Sequence, residues 1–320
     1  MKKLVVFTPS LTDGHRSAIA SAADAHGYEV AFCQIVDEAL SSAADAEIIF
    51  SPEPALLPVA RELKWICVSY AGVEPFVSPD AYANPDAILT NSSGAYGVTI
   101  AEHIIMVTIT MMRRQREYDA ILARRQWRRD LAIRSIRGSR VALLGTGDIG
   151  RETAIRLRSF SPKSVIGVNR SGRDAGPLFD RTLQVSALDE VLPQTDLLVM
   201  SLPGTPETTG LMDRRRLSLL PDDAFLVNVG RGNAIDEGAL AELMRGGHLA
   251  GAALDVFAVE PLPQDSPLWD CPRLMITSHT AGNTTLGYTA DRIVEMFLED
   301  FENYCAGRPL KYRVDRKLGY

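Results

Sequence analysis

In the first hundred residues, short apolar runs recur between stretches whose apolar positions fall at helical spacing. The runs at residues 4–7, 28–33, 47–50, 65–69 and 88–90 predict a small parallel α/β sheet. From residue 98 to about 129, Ile100, Ile104, Ile105, Thr108 and Met112 recur on one helical face, which predicts one long helix. A second alternating series begins at Arg140. Strands are expected at 141–144, 165–168, 197–201, 225–229, 252–256 and 274–277, with helices at 149–159 and about 284–304. Such alternation is the signature of a doubly wound parallel sheet. The expected class is therefore α/β, with two doubly wound parallel-sheet domains: a Rossmann-type domain and a smaller, flavodoxin-like one.

Length agrees with two domains, because 320 residues exceeds the roughly 250–300 at which a single hydrophobic core stops growing. The hydrophobic share of 46% and charged share of 23% are those of a soluble globular chain. A net charge of -6 argues against a nucleic-acid partner, which needs a concentrated positive surface. The arginine-rich stretch at 113–137 is a local exception. Its arginines alternate with Met111, Met112, Ile121, Leu122, Trp127 and Leu131, and read as the solvated face of the long helix. Cys33, Cys67, Cys271 and Cys305 are scattered, with no metal-ligand spacing, and are expected to be reduced thiols, mostly buried. Lys2 and Lys3 lead directly into only four apolar residues, too few for a signal peptide. No run approaches the roughly 18 apolar residues of a membrane helix, so a cytoplasmic location and no membrane partner are expected.

The strand at 141–144 feeds into Gly145-Thr146-Gly147-Asp148-Ile149-Gly150, a G-x-G-x-x-G that opens a helix. The first glycine permits the tight turn, the second lets backbone approach a pyrophosphate, and the third lets helix and strand pack closely. Amide dipoles at the helix start then face the anion. A plain glycine-rich turn has the same hexapeptide, but its place between strand and helix points to dinucleotide binding.

About twenty residues on, where an acid would grip the ribose hydroxyls of NAD, stand Asn169, Arg170, Ser171 and Arg173. A neutral amide followed by two arginines and a hydroxyl suits a 2'-phosphate better than bare hydroxyls. NADP(H) is expected over NAD(H), against the reading of an exposed basic loop with no selective role.

Three polar residues follow the ends of apolar strands, where ligands of open α/β sheets collect. Arg231 follows residues 225–229, Glu260 follows 252–256, and His279 follows 274–277. Together they supply what reducing a 2-oxo acid requires: a bidentate cation for carboxylate and carbonyl, an imidazole to donate a proton, and a carboxylate to keep it protonated.

At these residues the chain resembles the D-isomer-specific 2-hydroxyacid dehydrogenase family. The resemblance spans nearly the whole length and includes the glycine turn, Leu202-Pro203 with Thr205 and Thr208, Asn228-Val229-Gly230-Arg231-Gly232, Asp255 through Pro263, and Ser278 through Gly282. It implies hydride transfer between NAD(P)H and C2 of a small 2-oxo acid, giving a D-2-hydroxy acid. The catalytic set it implies is Arg231, Glu260 and His279, with Asp255 near the nicotinamide. Cofactor contacts are expected from the glycine turn, from Asn169 to Ser171, and from Leu202, Pro203, Thr208, Val229, Gly230, Arg231, Asp255 and His279.

The resemblance further implies a discontinuous substrate domain, 1–98 with 286–320, a cofactor domain at 99–285, and substrate between them. Tyr70-Ala71-Gly72 matches the family loop whose amides bind the substrate carboxylate. Tyr70 and Tyr96 are candidates to line the pocket, although aromatic packing explains them equally well. His103 reads as structural. Glu74 departs from the aspartate of many relatives, and Asn169 departs from the NAD-binding acid. A homodimer built around the long helix is also implied. The pocket's loops leave glyoxylate, hydroxypyruvate and bulkier 2-oxo acids open. The competing reading is a dinucleotide-sensing corepressor-like scaffold of the same fold, against which the intact Arg231, Glu260 and His279 stand. A methyltransferase using the glycine turn leaves those three residues unexplained. No metal is expected.

Overall fold

The computed structural model describes residues 2–8 and 10–320. The chain divides into two compact units, Met1–Tyr96 with Asn283–Tyr320, and Gly97–Gly282.

In the first unit five parallel strands, β1 (Lys2–Val6), β2 (Tyr28–Phe32), β3 (Ile48–Phe50), β4 (Trp65–Val68) and β5 (Ile88–Asn91), lie in the order β2-β1-β3-β4-β5. This is the flavodoxin-like order. Helices α1 (Asp13–Ala25) and α2 (Val36–Ala43) make crossovers in this unit, and α1 starts at Thr12, whose hydroxyl accepts the His15 amide at 3.2 Å as an N-cap. The C-terminal helix α9 (Gly287–Cys305) joins this unit because its apolar stripe belongs to the sheet's core. Fully buried Phe297 stacks on Phe50 at 4.3 Å and on Trp65 at 5.5 Å. Buried Asp300 then holds the tail, accepting the amides of Lys311 and Tyr312 at 2.7 and 3.1 Å.

The second unit carries seven parallel strands: β6 (Arg140–Leu144), β7 (Ser164–Asn169), β8 (Arg181–Gln184), β9 (Leu197–Met200), β10 (Phe225–Asn228), β11 (Gly251–Leu254) and β12 (Leu274–Ile276). Their order is β12-β11-β10-β9-β6-β7-β8, so the strand order reverses between β6 and β9. Ligands of such sheets bind outside the carboxyl ends of the strands at that point. The central strands β9, β10 and β11 are buried at every position, as expected where helices cover both faces of a parallel sheet.

Three elements differ from the sequence pattern. The long helix expected at 98–129 is broken: α3 spans Gly97–Met112 and α4 spans Gln115–Ala123, with Arg114 between them at φ +53°. Beyond Arg124 the chain is irregular, and the Arg134 amide returns to the Met112 carbonyl at 2.8 Å. A continued helix would set Arg124 against Arg128 and Arg125 against Arg129 at the i,i+4 spacing, where like charges repel. Trp127 is thereby left 90% exposed. Strand β8 has no apolar alternation because it is a half-exposed edge strand. Helix α9 begins at Gly287, after a short loop. Among the described residues no helix is long and apolar enough to cross a membrane. All four cysteines are free, three of them buried.

Candidate active site

The turn from β6 into α5 (Asp148–Arg158) shows what each glycine is for. Gly145 sits at φ +102°, and a Cβ there would stand 2.8 Å from the Ser201 hydroxyl and 2.9 Å from its carbonyl oxygen. A Cβ on Gly150 would run into the Gly145 carbonyl, so the third glycine sets the approach of helix to strand. A Cβ on Gly147 would meet nothing within 4 Å. The opening at the N-terminus of α5 is therefore bounded by the first and third glycines and left clear at the second, which fits a pyrophosphate on a helix dipole. Asp148 does not face that opening: its carboxyl lies against Gly97 at the start of α3, so this position offers backbone to an anion. Thr146 and Ile149 are half-buried in the same turn.

Asn169, at the end of β7, organises the next loop. Its amide nitrogen donates to the Thr146 hydroxyl at 3.1 Å and to the Arg173 carbonyl at 3.0 Å, and its oxygen accepts the Gly172 amide at 2.6 Å. This ties the loop of Arg170, Ser171 and Arg173, all exposed, to the glycine turn. The loop after β9 is fixed by Thr208, whose hydroxyl donates to the Pro203 carbonyl at 2.7 Å and accepts the Thr205 amide at 2.9 Å. Half-buried Leu202 packs so tightly beneath Gly230 that a Cβ there would stand 2.6 Å from its amide nitrogen. Buried Val229 donates its amide to the Met200 carbonyl at 3.0 Å.

Strand register carries the three polar candidates to one edge. Asn228 pairs with Leu254, and Leu254 with Ile276, so the loops holding Arg231, Glu260 and His279 leave neighbouring strands at the same level. Asn228 shapes the first loop, donating to the Arg231 carbonyl at 2.9 Å and accepting the Gly230 amide at 3.1 Å. Arg231 is half-buried and its Nη1 donates to the Gly230 carbonyl at 2.8 Å. At Gly232 the absence of a side chain lets this loop press on the backbone of Phe257 and Ala258. The second loop ends in Glu260, whose Oε1 accepts the Phe257 amide at 2.9 Å while Oε2 stands 2.7 Å from Nδ1 of His279. A carboxylate only accepts, so Nδ1 carries the proton and Nε2 is the nitrogen left to exchange one. This tautomer follows from the hydrogen-bond partners.

His279 sits at φ +54°, a left-handed conformation that costs a non-glycine residue about 1 kcal/mol and persists only where its surroundings impose it. Asp255, 2% exposed, imposes it. Its Oδ1 accepts the Thr277 hydroxyl at 2.6 Å and the Thr280 amide at 2.9 Å, its Oδ2 accepts the Ala281 amide at 3.0 Å, and its carbonyl accepts the His279 amide at 2.8 Å. One buried carboxylate thus holds the backbone on both sides of the exposed imidazole.

Sequence reasoning passed over two residues here. Thr277 is the hydroxyl that completes the Asp255 shell. Glu237, in the first turn of α8 (Glu237–Arg245), accepts the Ala258 amide at 2.7 Å and braces the Glu260 loop. Burial, with a smaller contribution from the negative charge of Glu260, pushes its carboxyl above the ordinary range. A lone acid beside the Asp236 cap gives no signal of this in the sequence.

Tyr70, Ala71, Gly72 and Tyr96 belong to the other unit and form one loop system there. The Tyr96 hydroxyl donates to the Ser69 carbonyl at 2.7 Å, Asn91 to the Ala71 carbonyl at 2.7 Å, and the Ser92 amide to the Tyr70 carbonyl at 3.1 Å. These bonds occupy the carbonyls, whereas the amides of Ala71 and Gly72 donate to nothing among the described residues. Tyr96 is 6% exposed and Tyr70 43% exposed. No cluster of metal-ligating side chains exists among the described residues.

Residues 105–281 match the model of the D-isomer specific 2-hydroxyacid dehydrogenase, NAD binding domain. Glyoxylate/hydroxypyruvate reductase A of Klebsiella pneumoniae (strain 342) is 29% identical over 87% of this chain and 88% of its own length. A D-isomer specific 2-hydroxyacid dehydrogenase family protein from Aeromonas salmonicida is similar in structure, with TM-score 0.87, 33% identity, and 98% and 99% of the two chains covered. The NADPH-dependent glyoxylate/hydroxypyruvate reductase of Sinorhizobium meliloti, solved with NADP and sulfate, superposes over 100% of both chains with TM-score 0.84 at 26% identity.

Proposed function

The chain belongs to the D-isomer specific 2-hydroxyacid dehydrogenase family, and from that premise we propose that it reduces the C2 carbonyl of a small 2-oxo acid, forming the D-2-hydroxy acid, with NADPH preferred to NADH. The observation that carries this reading is the 2.7 Å contact between His279 and Glu260 at the sheet edge shared with the Arg231 loop.

The residues fit a dinucleotide: the glycine turn leaves its second position open to a pyrophosphate, and Arg170, Ser171 and Arg173 on the Asn169 loop supply exposed groups that would hold a 2'-phosphate. When bound, the reduced nicotinamide supplies the hydride that reaches C2. Arg231, its guanidinium tethered to its own loop, holds the carboxylate and carbonyl oxygens of the substrate in bidentate fashion. The amides of Ala71 and Gly72 are proposed to bind the substrate carboxylate. Nε2 of His279 gives its proton to the forming alkoxide, and Glu260 holds the ring through Nδ1 as charge on it changes. The NADPH preference is supported by the missing acid at Asn169 and by the NADP held in the Sinorhizobium meliloti reductase.

A homodimer is part of the proposal. Met106, Ile109, Leu122 and Trp127 leave an apolar face on α3, α4 and the segment that follows, of the kind that a second copy covers; sedimentation at equilibrium tests it. A cytoplasmic setting is supported by four free thiols.

The test follows the loss of reduced-nicotinamide absorbance with NADPH or NADH against glyoxylate, hydroxypyruvate, pyruvate and phenylpyruvate. Oxidation of NADPH by at least one acid, with a lower kcat/KM for NADH, is expected. Binding of both cofactors without turnover would favour a sensing protein instead.

A further inference from the structure

His103 lies on α3, 174 residues before Thr277 in sequence, on a helix that none of the three catalytic loops belongs to. Its Nε2 stands 3.4 Å from the Thr277 hydroxyl oxygen. That hydroxyl has one proton and gives it to Oδ1 of Asp255 at 2.6 Å, because an ionised carboxylate cannot donate. The oxygen of Thr277 must then accept from His103, which fixes the ring as a donor at Nε2. The three groups form one directed chain, His103 to Thr277 to Asp255, and Asp255 in turn holds the backbone around His279 through the amides of Thr280 and Ala281.

We propose that His103 is a positioning residue for the proton-donating His279: it orients the Thr277 hydroxyl and thereby the Asp255 carboxylate that fixes the 277–281 loop. This rests on the reading of His279 as the proton donor. The geometry explains why a polar ring stands on a helix otherwise buried through Ile100, Ile104, Val107 and Met111. It also explains why the Thr277 hydroxyl is aimed at Asp255 and not at solvent. Burial holds the His103 ring below the ordinary histidine range, partly offset by the charge of Asp255. A neutral ring with its proton on Nε2 is the form the chain requires. A left-handed His279 relaxes when its ties loosen, and sub-ångström displacement of a proton donor is costly to turnover.

The test compares His103→Leu, His103→Gln, Thr277→Val and the double variant His103→Leu/Thr277→Val with the full-length wild type. Two readouts are needed: hydrogen exchange of the peptide containing Thr280 and Ala281, and kcat with KM for the best 2-oxo acid. Expected for His103→Leu are exchange in that peptide faster by roughly 10-fold and kcat lower by roughly 10-fold, with the substrate KM little changed. His103→Gln, which returns a donor near the position of Nε2, restores most of both. The double variant is no worse than Thr277→Val alone, as members of one chain must be. Unaltered exchange in His103→Leu, or additive losses in the double variant, overturn the proposal. Exchange is measurable whether or not the protein turns over. Faster exchange in His103→Leu, together with a wild type that reduces no 2-oxo acid, would therefore refute the catalytic reading and leave the positioning chain standing.

Discussion

Glu260 holds His279 through Nδ1 at 2.7 Å and is itself held by the Phe257 amide at 2.9 Å. The imidazole is therefore aimed by a carboxylate that cannot swing freely, which leaves Nε2 to exchange a proton. Under the proposed mechanism, removing the ring removes the acid. His279→Ala is expected to lower kcat by at least roughly 10²-fold while NADPH binding, followed by quenching of protein fluorescence, persists. Glu260→Gln keeps the size and one hydrogen bond but loses the charge, and should lower kcat by less. Equal turnover in His279→Ala and wild type would refute the assignment.

Arg231 is tied to the Gly230 carbonyl by one nitrogen, which sets the plane of its guanidinium. A planar fork pairs with a carboxylate as an ammonium cannot. Arg231→Lys should therefore recover little of what Arg231→Met loses. Both are expected to reduce kcat/KM for the 2-oxo acid by about 10²-fold or more, equivalent to two charge-assisted hydrogen bonds. Steady-state kinetics with a saturating cofactor checks this, and a lysine variant near wild type would remove the bidentate role.

The cofactor loop gives a third expectation. Asn169 donates to Thr146 and Arg173, so changing it would disturb the loop; the exposed arginines are the cleaner target. Arg170→Ala/Arg173→Ala should raise the KM for NADPH by roughly 10-fold to 100-fold and leave that for NADH within about 2-fold, because only a 2'-phosphate would lose charged partners. Parallel losses with both cofactors would show that the loop does not select.

The strand runs made the two parallel sheets legible, because buried parallel strands read as continuous apolar stretches. What escaped was decided by tertiary context. The helix break at Arg114 reflects the return of Arg134 to Met112, a contact that periodicity does not encode. Edge strand β8 carries the half-exposed sequence of any loop. The glycine turn was readable because its first and third positions obey local steric rules, while the second is left open toward an anion. The link from His103 to Thr277 was not, since nothing in the spacing of residues 174 apart says that a helix and a strand end will meet.

A pH dependence of stability follows from Asp189. The guanidinium groups of Arg215 and Arg216 hydrogen-bond it at 2.7 and 2.8 Å and hold its carboxyl down to about 2, from an ordinary 3.8. The folded value lies below the unfolded one. Its contribution is therefore complete above the unfolded value and is lost as pH falls through the folded one. The pair is exposed and screened by salt. Thermal melts of wild type and Asp189→Asn should show a small gap at neutral pH that closes between about 4 and about 2. A gap that is constant across that window would show that the ion pairs contribute nothing in solution.

Gly147 and Gly150 separate folding from cofactor binding within one turn. A Cβ on Gly150 collides with the Gly145 carbonyl, whereas one on Gly147 meets nothing within 4 Å. Gly150→Ala must push α5 away from β6, so it is expected to lower Tm by several degrees, equivalent to about 1–3 kcal/mol of overpacking, and to weaken NADPH binding as well. Gly147→Ala should leave Tm unchanged, since its methyl projects into space that the protein does not use. If that space is where the pyrophosphate backbone contact is made, the same methyl raises the NADPH Kd by roughly 10-fold or more. Calorimetric melts and cofactor titrations on the two variants give a clear decision. A Gly147→Ala protein with wild-type Tm and wild-type affinity would place the dinucleotide elsewhere.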